Sequence, residues 1–130
     1  MNEIQTPAAR SRPQQITREY IRLLDNYIRE LKEGKTDRVM DIRDFASLLH
    51  IHPVHLSNTI RETTGHSTCH LFEMRLVQVA KELLKDGNRS IGDIARQLTY
   101  DPSNFTKFFK HFEGITPRQF RNALPAGSNS

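Results

Sequence analysis

Apolar residues recur every three or four positions through most of the chain, and each such stretch predicts a helix. Tyr20, Leu23, Leu24, Tyr27, Ile28 and Leu31 form one wide stripe. It predicts a helix capped by Thr17, running to about Glu33 and stopped by Gly34. A charged stretch from Lys35 to Met40 follows. Asp41 and Asp44 then stand in a capping-box arrangement, ahead of Ile42, Phe45, Ala46, Leu48 and Leu49, which are expected to face inward. After a break at His50-Ile51-His52, Pro53 suits the first turn of another helix. Leu56 and Ile60 continue the apolar spacing there, with Val54, Ser57, Asn58 and Arg61 on the free side. A short helix, a tight turn and a second helix with a free outer face make a helix-turn-helix pattern.

Thr63 to Ser67 reads as a stop followed by a new cap, and Leu71, Met74, Leu76, Val77, Ala80, Leu83 and Leu84 mark a long helix beyond it. Then the earlier pattern recurs. Ser90 and Asp93 repeat the cap, Ile91, Ile94, Ala95 and Leu98 are apolar, and Thr99-Tyr100-Asp101 forms the turn. The next helix starts at Pro102. Its aromatics Phe105, Phe108, Phe109 and Phe112 share one face, while Ser103, Asn104, Lys107, Lys110 and His111 lie largely on the other. The two copies superpose in register, with Phe45-Ala46 on Ile94-Ala95, Leu49 on Leu98, Pro53 on Pro102, Leu56 on Phe105 and Ile60 on Phe109. Each ends at a glycine, Gly65 or Gly114. This duplication is the strongest signal in the chain. Thr116-Pro117 opens a last short helix through Phe120 and Arg121.

The expected fold is therefore all-α, with about seven helices: two helix-turn-helix subdomains joined by a long central helix. The domain is expected to span 16–123, with a first unit at about 41–64, a linker helix at about 67–86 and a second unit at about 90–113. Residues 1–15 and 124–130 are rich in proline or small polar residues without an apolar period, and are expected to be a disordered arm and tail.

Composition narrows the function. A chain of 130 residues with a net charge of +4 and a pI near 9.5 favours an anionic partner. The basic excess is local to the end, where Lys107, Lys110, Arg118 and Arg121 face only Glu113. No apolar run suits a membrane span, and the first residues lack a signal-peptide pattern. Cys69 is the single cysteine, so no intramolecular disulfide is expected and a cytoplasmic location is the default. His66 and His70 have metal-compatible spacing, but they straddle a helix start and no Glu follows His66, so neither a metal nor a cofactor is expected. No glycine-rich phosphate loop or nucleophile elbow points to an enzyme.

From about Ile42 to Arg121 the residues resemble the DNA-binding domain of AraC/XylS-type bacterial transcription regulators. The matching pieces are Phe45-Ala46, Pro53 with Leu56, Thr64-Gly65, Arg75 with Ala80 and Leu83-Leu84, Ile94-Ala95, Phe105 with Phe109-Lys110, and Gly114-Ile115-Thr116-Pro117 followed by Phe120-Arg121. The resemblance implies two recognition helices entering successive major grooves of double-stranded DNA. By position, it implies base reading by Val54, Ser57 and Asn58 in the first and by Ser103, Asn104 and Lys107 in the second. Arg61 and Lys110 would hold phosphates. It further implies a short single-domain member with no small-molecule effector. The duplication itself predicts one chain bound to DNA as a monomer, near the nucleoid, with RNA polymerase as a further partner. Four residues depart from the family pattern. His50 and Thr99 stand where both turns usually carry glycine, Tyr100 stands where the second turn usually continues with phenylalanine, and His52 stands where the first recognition helix usually has a serine cap. A positive φ is costly for a β-branched residue, so the turn at Thr99 is expected to differ in detail.

The rival reading is a helical protein-interaction module acting on another regulator or on RNA polymerase without reading DNA. It would want exposed apolar anchors among Ser103, Asn104, Lys107 and Lys110, and none is there.

Overall fold

The computed structural model describes residues 11–125. These residues form seven helices and no strand: α1 (Arg12–Lys32), α2 (Ile42–Leu49), α3 (Pro53–Thr64), α4 (Thr68–Leu84), α5 (Ile91–Gln97), α6 (Pro102–Glu113) and α7 (Pro117–Asn122). The all-α class and the helix count agree with the pattern of the chain. Two compact units result, one containing Met40–Phe72 and the chain up to Asn26, the other Tyr27–Val39 and the chain from Glu73 onward. Both α1 and α4 contribute residues to each unit. Of the expected arm and tail, residues 1–10 and 126–130 lie outside the described residues.

The start of α1 corrects one expectation. The helix begins at Arg12 rather than at Thr17. Ser11 opens it, its hydroxyl accepting from the Gln14 N–H at 3.3 Å, and Pro13 falls in the first turn, where a missing N–H costs nothing. The extra turn brings Ile16 into the core. Thr17 lies inside the helix, and its hydroxyl meets that of Thr63 on α3 at 2.6 Å.

In the first unit, Ile16, Tyr20 and Leu24 of α1 are buried with Phe45 and Ala46 of α2, Leu56 and Ile60 of α3, and Leu71 of α4. The Tyr20 and Phe45 rings meet edge to face, with centroids 5.4 Å apart. Leu48 is the exception among the expected inward residues, at 55% exposure. At about 100° per residue it lies roughly 110° from the centre of the stripe formed by Ile42, Phe45, Ala46 and Leu49. Its apolarity suggested burial, but its angle does not allow it.

In the second unit, Leu31 of α1, Leu76, Ala80 and Leu84 of α4, Ile94, Ala95 and Leu98 of α5, and Phe105 and Phe109 of α6 are buried. Phe109 packs edge to face on Phe120 of α7 at 5.5 Å. Polar groups close the helix ends. The Gln97 amide donates to Leu31 O at 3.1 Å and Lys32 O at 2.8 Å, satisfying terminal carbonyls of α1 that have no partner within the helix. Arg121 does the same for the last carbonyl of α4, donating from Nε to Leu84 O at 2.9 Å, and reaches the loop beyond it, donating from Nη2 to Asp86 O at 3.0 Å.

Candidate nucleic-acid interface

Two recognition helices, α3 and α6, are each set by a turn from the preceding helix. In the first turn, the His50 N–H donates to Ser47 O at 3.1 Å and the Ile51 N–H to Ala46 O at 3.0 Å. In the second, the Thr99 N–H donates to Arg96 O at 3.0 Å and the Tyr100 N–H to Ala95 O at 2.9 Å. These are the paired bonds of a Schellman motif, which places one residue in the left-handed region. His50 adopts φ 59° and Thr99 φ 71°. The expected departure at Thr99 therefore does not occur. Left-handed backbone costs a residue with a Cβ about 1–2 kcal/mol. Two backbone hydrogen bonds at about 0.5–1.5 kcal/mol each, together with the burial of Ala95 and Leu98 on the same short helix, outweigh it.

Each turn leads into a cap. His52 takes the role usual for a serine, its Nδ1 accepting from the Val54 N–H at 3.1 Å. That bond fixes the Nδ1 lone pair toward the backbone and leaves Nε2 outward. Asp101 accepts from the N–H groups of Ser103 and Asn104 at 2.9 and 3.3 Å. Pro53 and Pro102 occupy the first turns, and Gly65 and Gly114 close the helices with φ near 80°. Two carboxylates hold the supporting helices. The hydrogen-bonded Arg43 guanidinium keeps Asp41, the cap of α2, below the usual carboxylate range. Arg96 and then the Ser90 hydroxyl do the same for Asp93 at the start of α5.

Most of the residues expected to read bases are exposed. Val54 and Asn58 on α3 and Ser103, Asn104 and Lys107 on α6 face solvent, while Ser57 is half-buried. The expected phosphate partners Arg61 and Lys110 are exposed as well. Among the described residues no ion pair occupies Arg61, Lys107 or Lys110. The basic excess at the end of the chain divides by role. Lys107, Lys110 and Arg118 are exposed, but Arg121 is committed to the carbonyls closing α4. Nothing local in the sequence announces that, because its acceptors lie more than thirty residues away. The surface also exposes His55, Glu62 and His111.

The His66 and His70 rings lie 4.9 Å apart. No group of three or more metal-ligating side chains forms among the described residues. No described helix is long and apolar enough to cross a membrane.

A family model described as a helix-turn-helix domain matches residues 45–123. Among relatives, the chain is 30% identical over 99 residues to an uncharacterized HTH-type transcriptional regulator of Bacillus subtilis, YisR, covering 75% of this chain and 33% of that protein. It is 31% identical over 105 residues to another, YtdP, covering 79% of this chain and 13% of that one. The chain thus spans a third or less of the length of these two relatives. Among solved structures, it is similar to the C-terminal domain of AraT, a response regulator from Geobacillus stearothermophilus, with 25% identity, a TM-score of 0.75 and 92% and 94% of the two chains covered. The DNA-binding domain of AdpA, solved in complex with a target DNA, shares the fold at 18% identity and a TM-score of 0.68, over 81% of this chain and 91% of that one. With its two capped helix-turn-helix copies, the chain belongs to the AraC/XylS-type family of helix-turn-helix transcription regulators.

Proposed function

We propose that the chain regulates transcription by laying α3 and α6 into successive major grooves of double-stranded DNA. The observation that carries this reading is the pair of outward faces on α3 and α6, set by matching turns and caps and holding Arg61, Lys107 and Lys110 outside any ion pair among the described residues. Asn58 and Asn104 can pair bidentately with adenine, Lys107 can donate to guanine, and Val54 can meet a thymine methyl. Ser103 can bond either kind of base edge. Arg61 and Lys110 take phosphates, which fix register without reading sequence. The DNA complex of AdpA, a protein of the same fold, supports the partner class.

With both readers in one polypeptide, one chain is expected to occupy one asymmetric site of two unlike boxes, about 10 bp apart. RNA polymerase is the further partner this role implies. Selection of bound DNA from a random pool tests the reading. It should return two boxes in fixed order, with affinity that falls steeply as salt rises and drops when five base pairs are inserted between them. Salt-insensitive binding without a recovered motif would favour the protein-interaction module instead.

A further inference from the structure

The duplication runs deeper than the core. Shifted by the interval that carries His50 onto Thr99 and Gly65 onto Gly114, every exposed position of α3 beyond its first turn residue meets an exposed position of α6. Val54 falls on Ser103, His55 on Asn104, Asn58 on Lys107, Arg61 on Lys110 and Glu62 on His111, and all ten residues are exposed. The same shift carries Ser57 onto Thr106. Both are half-buried, and the Thr106 hydroxyl donates to Pro102 O inside its own helix at 3.1 Å.

Helix geometry agrees. At about 100° per residue, His55 lies roughly 60° from Asn58, which sits near the middle of the outward stripe, whereas Ser57 lies roughly 100° away on the other side. His55 also has no hydrogen-bond or ring partner among the described residues, unlike His52, whose Nδ1 is taken by the cap.

We infer that His55, rather than Ser57, reads a base beside Asn58 on α3, in the position that Asn104 holds on α6. The inference rests on the proposal that these helices enter major grooves. The imidazole carries at least one N–H donor in every protonation state. Directed at a purine N7, an acceptor present on both adenine and guanine, a single donor separates purine from pyrimidine. An asparagine in the same place would narrow that choice to adenine through bidentate pairing.

The experiment is DNA selection from a random pool with the full chain and four variants: His55→Ala, His55→Asn, Ser57→Ala and Asn104→Ala. His55→Ala should erase a purine preference of about tenfold at one position, roughly the effect of one such contact, with binding to random DNA unchanged. His55→Asn should convert that purine preference to adenine, and Ser57→Ala should leave the profile as it was. Equal loss on selected and random DNA with His55→Ala, or a profile that moves with Ser57→Ala and not with His55→Ala, overturns the inference. If His55→Ala melts below the parent, the outcome with His55→Asn decides. Asn104→Ala separates the two claims. Should it relax one base position while the His55 variants change nothing, only the assignment of His55 fails. Should Asn104→Ala and the His55 variants all leave the profile intact, the proposal of groove reading fails with it.

Discussion

His50 and Thr99 hold the same left-handed backbone geometry, φ 59° and 71°, at the same step of two helix-turn-helix copies. Neither is the glycine that such a turn favours. The turn is thus held by its hydrogen bonds and by the helices on either side, against the preference of the residue at its centre.

Relief of that strain is measurable. Thr99→Gly removes a left-handed cost of about 1–2 kcal/mol and adds some unfolded-state entropy. The net gain should be about 1 kcal/mol, raising Tm by about 4 °C. A thermal melt that falls instead would mean that the Thr99 side chain contributes packing worth more than its backbone strain.

Phe109 is fully buried and packs on Phe105 and Phe120. Phe109→Ala should cost about 3–5 kcal/mol, read as a lower midpoint in denaturant. An unchanged midpoint would contradict its place in the core.

Arg121 and Lys110 should separate stability from DNA affinity. Arg121→Ala removes the guanidinium from Leu84 O and from Asp86 O, which keeps only the Arg89 N–H, and should lower stability by about 1.5–3 kcal/mol, the range for a charged hydrogen-bonding group. Lys110→Ala should leave the melt alone and reduce the slope of log affinity against log salt by about 1. Arg121→Ala changing the salt slope with no loss of stability would reverse these roles.

Acid should weaken the helix starts. Asp41 and Asp93 have carboxyls held below the ordinary value of 3.8. A group depressed in the folded state contributes stability above its unfolded value, and loses it as pH falls through the folded one. Stability should therefore decline on acidification below about pH 4, and less steeply in Asp41→Asn or Asp93→Asn, followed by helical signal across an acid titration. Identical acid profiles in parent and variants would remove these carboxylates from the account.

Much of this was legible because it is local. Asp41, Ser90, Asp101 and Thr116 cap helices with their own side chains, and Gly65 and Gly114 close helices in the left-handed conformation. Each signal lies within a few residues of what it specifies. The misreadings share a cause. Thr17 looked like a cap, but Ser11 opens α1 and the Thr17 hydroxyl is engaged by Thr63, across the unit. Leu48 looked buried until its angle on so short a helix was fixed. Arg121 looked like a free cation, although its partners are carbonyls at the end of another helix. At the candidate interface the exposed positions followed from apolar spacing, while the choice between Ser57 and His55 needed the exposure of every position on both helices.

The two outward stripes match in position but differ in residue at every point, down to Glu62 on α3 where His111 stands on α6. A reader with unlike halves gives its binding site a head and a tail. The same DNA turned end for end offers each helix the wrong box and is a different, poorer site. The bound chain would therefore point along the promoter as an arrow does, and the order of the boxes would dictate which of its surfaces faces the start of transcription.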